Sequence, residues 1–409
     1  MLTPYDEFPV HQSSRPFSVI PSTDYGWDDG YYFGMMSSAE QMFLDINFRV
    51  NPNTDMLGGA VAFVRHGEQF VLRLNRSWRR DFALRIGPLH LEVVEPLRTW
   101  RLRLGENGSG LDFDVVWEAT TPAILEAHHL VFQRGKATTD QSRYNQPGRA
   151  SGTIRFRGES YDLNPESWGG ARDHSWGLYV QRAPLAPDPR WLPPTEPPKA
   201  RRALRFWTVF SLPHGGPGGF FQINELSDGT QAGMTDVFSS PFEGKIYHGF
   251  DHGADLTGYS HEMVFEPNSR LLREAHFTLT DASGGTWQAD FTRAMMPWSA
   301  RTLGYSVGGW RDGGNFHSYH GSEELAMEWD EPVDISVQPM PALTNVALEP
   351  GEDHFAMRAA PDKPETGTVL TCHVTITSPD GEKFEGGTCH TDCSLLGAYP
   401  RYGITEDTP

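Results

Sequence analysis

Alternation of apolar and polar residues with a period of two recurs along this chain and limits the folds open to it. Five segments before residue 120 place large apolar side chains on one face and polar or charged side chains on the other. Because successive side chains of a strand point to opposite faces, each segment predicts an antiparallel strand with one face in water. These predicted strands are Met42–Val50, Gln69–Asn75, Leu89–Glu95, Thr99–Leu104 and Leu111–Glu118.

The same pattern returns in the second half of the chain. The sequence also holds 42 glycines and 31 prolines, a content that favours many turns and argues against a helical protein. Closely spaced strands of this kind are typical of a meander that closes into a barrel or sandwich. The predicted fold class is therefore all-β, with two antiparallel β domains. The later predicted strands are Arg202–Leu212, Phe220–Glu225, Lys245–Phe250, Leu271–Thr280, Thr286–Thr292 and a hairpin of Gly367–Thr377 with Lys383–Gly387.

A proline-rich segment at residues 183–200 is the strongest break in composition. Prolines cannot fill the interior of a sheet, so the segment predicts a stiff, extended linker, with a long surface loop inside one domain as the alternative. The predicted organisation is an irregular N-terminal arm at 1–26, a β domain at 27–182, the linker, and a second β domain with a C-terminal extension at 201–409.

The charge of the chain excludes some partners. With a net charge of −19 over 409 residues, it lacks the basic surface by which proteins bind nucleic acids or anionic membranes. The N-terminus does not resemble a signal peptide, and no apolar run approaches the ~18 residues of a membrane span. We expect a soluble, cytoplasmic protein with reduced thiols, no nucleic-acid partner and no stable membrane insertion; the oligomeric state stays open.

The segment WGGARDHSWG at 168–177 is the most unusual in the chain. Its two tryptophans could exclude water, and desolvation favours the protonated form of a carboxylic acid such as Asp173. His174 could relay or accept a proton near neutral pH. The alternative is a structural turn in which Asp173 caps backbone amides and Arg172 pairs with a carboxylate.

Residues 172–177, RDHSWG, preceded by Gly-Gly-Ala, resemble the signature of the hydroxyneurosporene synthase (carotenoid 1,2-hydratase) superfamily. Residues 27–34, WDDGYYFG, resemble the acidic, aromatic first strand of that superfamily, and the resemblance covers about residues 25–330. It implies two lipocalin-like domains packed together around an apolar cavity. It also implies hydration or cyclisation of polyenes or isoprenoids without a metal or organic cofactor, with Asp173 and His174 as the residues to carry over.

A second polar and aromatic group lies in the glycine-rich segment 304–324. Trp310, His317, Tyr319 and His320 are predicted to line a pocket wall, with plain sheet packing and a metal site as alternatives. A metal site would require His317 and His320, which are three residues apart, to share one face of a helix, but the glycines argue against a helix there.

The cysteines lie near the C-terminus, at positions 372, 389 and 393, each of the first two followed by a histidine. A structural zinc site needs four ligands from two complete pairs, which this spacing does not supply. Ordinary buried thiols are the favoured interpretation, zinc is the alternative, and we predict no metal.

The predicted function is a cofactor-independent enzyme of the hydratase, cyclase or isomerase type, acting on a hydrophobic small molecule. The substrate class is an isoprenoid, terpenoid, steroid or polyene, and the chemistry is acid–base attack on a C=C bond. Asp173 is the predicted acid and His174 its partner. The alternatives are a non-catalytic lipocalin-like carrier and a carbohydrate-active β protein. The predicted substrate-binding residues are Trp168, Arg172, Trp176, Tyr31, Tyr32, Trp310, His317, Tyr319 and His320.

Overall fold

The computed structural model describes residues 14–133, 135–179, 202–233, 240–305, 307–347 and 355–409. Its regular structure there is β-strand apart from 3₁₀ turns at Ala300–Leu303 and Pro400–Tyr402, which confirms the all-β fold class. No helix among these residues has the length and apolar composition of a membrane span. The predicted linker at 183–200 lies outside the described residues, and residues 14–26 of the predicted arm contain no helix or strand.

The described chain forms 26 strands, numbered in chain order. They are β1 (Trp27–Ser37), β2 (Met42–Asn51), β3 (Met56–Arg65), β4 (Glu68–Ser77), β5 (Arg85–Ile86), β6 (Leu89–Glu95), β7 (Thr99–Leu104), β8 (Leu111–Ala119), β9 (Ile124–Leu125), β10 (His129–Gln133), β11 (Lys136–Phe156), β12 (Glu159–Leu163), β13 (Gly169–Tyr179), β14 (Arg202–Ser211), β15 (Gly218–Leu226), β16 (Phe242–His248), β17 (His252–Phe265), β18 (Leu272–Asp281), β19 (Thr286–Arg293), β20 (Ala326–Trp329), β21 (Val333–Asp334), β22 (Met340–Ala347), β23 (Phe355–Glu365), β24 (Val369–Leu370), β25 (Cys372–Thr377) and β26 (Lys383–Leu395).

The first sheet curves into a half-barrel. Its main strand order is β20-β4-β3-β2-β1-β13-β11-β8-β7-β6-β5, and its paired strands are antiparallel. Alternation decides which side chains fill the concave side. In β8, Leu111, Phe113 and Trp117 are buried in this core, whereas Asp112 and Asp114 between them point outward. Each strand therefore contributes one of its two faces to the core, as the period of two predicts.

The second sheet is a closed barrel of eight strands, β14 to β19 followed by β25 and β26. Pairing of β14 with β26 closes the barrel, and β24 adds to β26. Four phenylalanines form its centre, with ring centroids 4.8 to 6.0 Å apart. They are Phe206, Phe221, Phe277 and Phe291.

The predicted hairpin is confirmed, because Thr377 lies opposite Lys383 across the turn.

Two short strands from the second half of the chain complete the edge of the half-barrel. Strands β20 and β21 both pair with β4. Arg73 of β4 is fully buried and donates hydrogen bonds to Glu328, at 2.9 Å, and to Asp330. Residues 326–334 therefore belong to the first sheet. The domain limits 27–182 and 201–409 stay a prediction.

The convex face of the half-barrel packs on the outer face of the closed barrel. A third apolar cluster fills this interface, with Phe43 from β2 and Trp207 and Val209 from β14 among its members. The sequence pattern predicts a wet face on β2 formed by Phe43, Asp45, Asn47 and Arg49. That prediction is wrong, because all four side chains are buried at this interface.

Close packing on the concave side makes Gly170 of β13 a sensitive position. A Cβ atom there would overlap the indole of the fully buried Trp117. We expect Gly170→Ala to lower the free energy of unfolding by about 1–3 kcal/mol, the usual cost of overpacking a core. Gly105→Ala is the control, since the nearest atom to its Cβ lies 3.9 Å away. Equal urea midpoints for the two variants would contradict this packing.

Candidate functional site

A cavity of about 200 Å³ lies at the interface between the half-barrel and the closed barrel. Aromatic rings contribute to its walls, and carboxyl and guanidinium groups from both barrels reach it. The lining residues are Tyr32, Asp45, Arg49, Arg143, Asp173, Arg205, Trp207, Trp298, Ala300, Leu303, Tyr305, Thr368, Val369, His390 and Asp392.

Antiparallel register places the half-barrel side of the cavity. Tyr32 of β1 lies directly opposite Asp173 of β13, and opposite Asn47 of β2 on its other side. Directly opposed side chains of an antiparallel pair have Cβ atoms about 4.5–5.5 Å apart. Tyr32 and Asp173 are therefore held together by backbone pairing, before any side-chain contact is considered.

Two glycines of β1 leave the space that these side chains occupy. A Cβ atom on Gly34 would overlap the Tyr32 hydroxyl, and one on Gly30 would overlap the Arg49 guanidinium. Both glycines belong to the segment WDDGYYFG at 27–34. Alternation along that segment thus places Tyr32 and the two glycines, which have no side chains, on the face of β1 that lines the cavity.

Tyr32 and His390 form a hydrogen-bonded pair that joins the two barrels. The imidazole ring also lies against Phe43 and Trp207, with both ring centroids 5.4 Å away. Burial lowers the pKa of His390 to about 4. Burial also raises the pKa of Tyr32 well above its usual value, and the charge of Asp45 adds to that rise. The pair is therefore uncharged at neutral pH.

The imidazole of His390 should not titrate between pH 5 and pH 8. Its pKa of about 4 lies below that range, because the buried ring cannot easily accept a charge. His276 is the internal control, since its hydrogen bond to Asp290 raises its pKa above the usual 6.5. NMR shifts of the ring carbons, assigned with His390→Gln, measure both. A midpoint for His390 near 6.5 would contradict the burial of this ring.

Asp45 is the strongest candidate for a proton donor in the cavity. Its side chain is 1 % exposed. Burial raises the pKa of Asp45 well above its usual value, a hydrogen bond from Asn47 opposes the rise, and the charge of Asp173 adds to it. This shift favours the protonated form of Asp45, which is the form that a general acid needs.

Asp173 supplies an acceptor without a partner. Its Oδ1 atom is buried and accepts no hydrogen bond from the described residues. Buried oxygens are nearly always satisfied in native proteins, and an exception calls for an explanation such as a ligand or water. Arg172, the neighbour in sequence, does not satisfy it. Its guanidinium lies on the opposite side of the sheet, among the concave-face rings of Phe33 and Trp117.

The cations at the cavity have carboxylate partners. Arg49 donates to Asp28 at 2.7 Å, with both side chains almost fully buried. Arg205 donates to Asp392 at 3.2 Å. Such pairing limits the cost of burying charge. Neither Asp45 nor Asp173 has a cation within 4.0 Å in the described part of the chain, which sets these two carboxyl groups apart.

The structure brings two of the sequence-predicted site residues together, Asp173 and Tyr32. It separates Asp173 from His174, the predicted partner, because adjacent strand residues point to opposite faces. His174 lies on the concave side, where Nε2 is 2.7 Å from Asp29 Oδ1 and the ring stacks on Tyr31 at 4.2 Å. Arg172 and Trp176 share that side with His174.

The other predicted residues lie away from the cavity. Trp168 is buried in the half-barrel core and donates to Glu40 at 3.0 Å. Trp310 stacks on His320 at 3.8 Å beside a separate groove of about 490 Å³. His317 is buried 3.9 Å from Asp28, and Tyr319 is exposed. From segment 304–324, Tyr305 is the residue that reaches the cavity.

Sequence reasoning missed Asp45, Trp207 and His390. A signal for Asp45 was present, since a phenylalanine and an asparagine share its face of β2 and make that face only partly polar. His390 and Trp207 carried no comparable signal. Both come from the second barrel, and their approach to Tyr32 depends on how the barrels pack.

The described residues contain no group of three His, Cys, Asp or Glu side chains that could hold a metal ion. The three cysteines are buried free thiols, which agrees with the favoured interpretation of the C-terminal segment. The expectation of a metal-free site stays a prediction.

Comparison with known proteins gives fold-level likeness and a family. The crystal structure of kievitone hydratase from Nectria haematococca matches 97 % of this chain and 96 % of its own, with 10 % identity and a TM-score of 0.42. CghA with Sch210972 matches 91 % of this chain and 89 % of its own, with 9 % identity and a TM-score of 0.46. These likenesses concern overall architecture alone. No curated protein matches the sequence significantly. The family model described as a family of unknown function, DUF8625, matches residues 2–344, and the chain belongs to that family.

Proposed function

We propose that this protein is an enzyme that uses the inter-barrel cavity for acid–base chemistry at a C=C bond of a hydrophobic small molecule. The observation that carries the proposal is a pair of carboxyl groups in the cavity, the buried Asp45 and the half-buried Asp173. Burial favours the protonated form of Asp45, and Asp173 offers an unpartnered oxygen in the same cavity. A protonated carboxyl group and a free acceptor oxygen in one cavity are the two groups that acid–base chemistry requires.

The roles follow from this difference. The proton of Asp45 is donated to one alkene carbon, and the π electron pair becomes the new C–H bond. The adjacent carbon is left as a cation, which water attacks. The attacking water loses its proton to Asp173, and proton transfer between the two carboxyl groups restores the starting state. The proposal gives the acid role to Asp45, whereas the sequence predicted it for Asp173.

The aromatic walls suit such a cation. Trp207, Trp298 and Tyr305 line the same cavity. The face of an aromatic ring attracts a cation, by up to about 2 kcal/mol or more where water is excluded. If an internal double bond attacks in place of water, the same site performs a cyclisation, and loss of a proton from the neighbouring carbon gives an isomerisation.

The size of the cavity limits the substrate. At about 200 Å³ it is smaller than the ~300–1,000 Å³ of ordinary ligand pockets. It therefore holds a small unsaturated molecule or one end of a longer isoprenoid or polyene.

The polar lining favours an enzyme over a carrier. A carrier of an apolar ligand gains nothing from two carboxyl groups in its pocket, because withdrawing them from water costs free energy. In an enzyme such groups have a role, because they act on charge that develops during the reaction.

The test is incubation of the full chain with a panel of terpenoid and polyene alkenes, followed by mass spectrometry of the extracted products. We expect a product with the mass of added water, or an isomer with changed retention, from the wild-type protein. Heat-denatured protein is the control. Recovery of every bound compound unchanged would leave a carrier and end the enzyme proposal.

A further inference from the structure

A second polar group lies on the concave side of the half-barrel, across the sheet from the inter-barrel cavity. It is built from the same sequence segments, because alternate residues of β1 and β13 face opposite sides. Tyr31, Arg172 and His174 point inward, and Tyr144 of β11 lies opposite His174 in register. The proposed function does not use these residues.

Arg172 is a buried cation enclosed by aromatic rings. Its side chain is 1 % exposed, and no carboxylate lies within 4.0 Å of it in the described residues. Aromatic faces stabilise a guanidinium from above and below, but its N–H groups lie in the plane and still need acceptors. The guanidinium carbon lies 5.1 to 5.7 Å from the ring centroids of Tyr144, Trp100, Trp117 and Phe33.

Several hydrogen-bond donors around Arg172 lack an acceptor. Arg172 donates from Nη2 to the Tyr144 hydroxyl, while its Nε and Nη1 atoms have no partner in the described chain. The indole Nε1 atoms of Trp100 and Trp117 are also buried without one. Burial lowers the pKa of Arg172, as expected where no anion offsets the loss of water. A cation with surplus donors is complementary to an oxygen anion.

Hydrogen bonds connect Arg172 to the surface. The Tyr144 hydroxyl lies 3.2 Å from Nδ1 of His174, and Nε2 of His174 lies 2.7 Å from Asp29. The Asp29 side chain is 49 % exposed. Trp176, beside His174, is an exposed tryptophan at the same rim. The group therefore runs from a buried cation to solvent, and a ligand would enter from the Asp29 and Trp176 side.

We propose that Arg172 is the anion-binding residue of a second ligand site on the concave side of the half-barrel, and that its ligand is a small organic carboxylate. A carboxylate matches the planar guanidinium through two parallel hydrogen bonds. A single cation compensates one negative charge, which favours a carboxylate over a doubly charged phosphate. The surrounding rings favour an acid with a flat, apolar body.

An internal partner is the competing explanation. Gln146 lies opposite Arg172 in register, and its Oε1 atom is also buried without a donor. Rotation of either side chain would pair the two, and Arg172 would then be a structural residue. The two explanations differ in what happens to stability when Arg172 is replaced.

The test uses benzoate as the probe, titrated into the full chain by calorimetry. We expect benzoate to bind at millimolar concentration or below, and neutral benzamide to bind at least about 10-fold more weakly. Arg172→Met should weaken benzoate binding at least about 10-fold and leave the melting temperature of the free protein unchanged or higher, because an unpartnered buried cation is removed. Arg157→Met, on an exposed arginine, is the matched control and should bind normally.

Two further variants keep the test decisive. Trp100→Phe keeps the aromatic side chain and removes one unpartnered N–H, so it should weaken benzoate binding several-fold and tests the site independently of Arg172→Met. Asp45→Asn should bind benzoate as the wild type does, because Asp45 lies on the other side of the sheet. Absence of benzoate binding, unchanged binding by Trp100→Phe, or a lower melting temperature of free Arg172→Met would each overturn the proposal. None of these three results bears on turnover at the inter-barrel cavity.

Discussion

Asp45→Asn will lower turnover by at least about 10²-fold, the usual contribution of a general acid. Asparagine keeps the shape of the side chain and can still accept the hydrogen bond from Asn47, but it has no proton to donate. The melting temperature should therefore stay close to that of the wild type. The measurement is the rate of product formation by mass spectrometry, on the substrate identified by incubation.

Asp173→Asn is the companion variant and should also lose at least about 10²-fold, because the base is removed. Asp251→Asn, an exposed aspartate between β16 and β17, is the control and should keep full activity. In the wild type, turnover should fall as the pH rises through the raised pKa of Asp45, since the acid is then ionised. A folded Asp45→Asn variant with full activity would exclude the proposed mechanism.

Glu225→Gln will lower the free energy of unfolding by about 3 kcal/mol, the scale of breaking a buried charge network. Glu225 is almost fully buried and accepts hydrogen bonds from Tyr399, from Tyr259 at 2.8 Å and from His261 at 3.1 Å. A neutral amide accepts these bonds more weakly and brings an N–H group toward other donors. The measurement is urea unfolding at pH 7.

The same carboxylate predicts how stability depends on pH. Burial alone would raise the pKa of Glu225, but hydrogen bonds from His261 and Tyr399 outweigh burial and hold the pKa below its usual value of 4.5. A lowered folded-state pKa stabilises the protein above about pH 4.5, and that stabilisation is lost as the pH falls through the folded-state pKa.

The wild type should therefore lose more stability than Glu225→Gln between about pH 5 and pH 3. Glu262→Gln is the control at an exposed position of β17, the strand that carries His261, and should change stability little. Parallel pH profiles for the wild type and Glu225→Gln would show that the network does not stabilise the charged form.

Alternation was enough to predict individual strands and many of their inward faces. β6 and β7 match their predicted ranges Leu89–Glu95 and Thr99–Leu104 residue for residue. Backbone pairing then follows locally, since most neighbouring strands in the sheets are also neighbours in sequence. The proximity of Tyr32 and Asp173 is different, because these two residues are 141 positions apart in sequence.

The cavity itself could not be predicted in this way. A period of two shows that the two faces of β2 differ, but it does not show what covers the more polar one. The pattern alone assigns Asp45 to water for that reason, although the second half of the chain buries it. The approach of Trp207 and His390 to Tyr32 depends on the packing of two curved surfaces, and no local pattern encodes that packing.

The return of β20 and β21 to the half-barrel limits how this chain can be shortened. An uncovered edge strand exposes a row of backbone N–H and C=O groups that readily pairs with other molecules. β4 carries the apolar residues Phe70, Leu72 and Leu74, and residues 326–334 shield its outer edge. A fragment that stops before residue 326 would present this edge to its own copies, so self-association into fibrils or aggregates is the hazard that these short strands prevent.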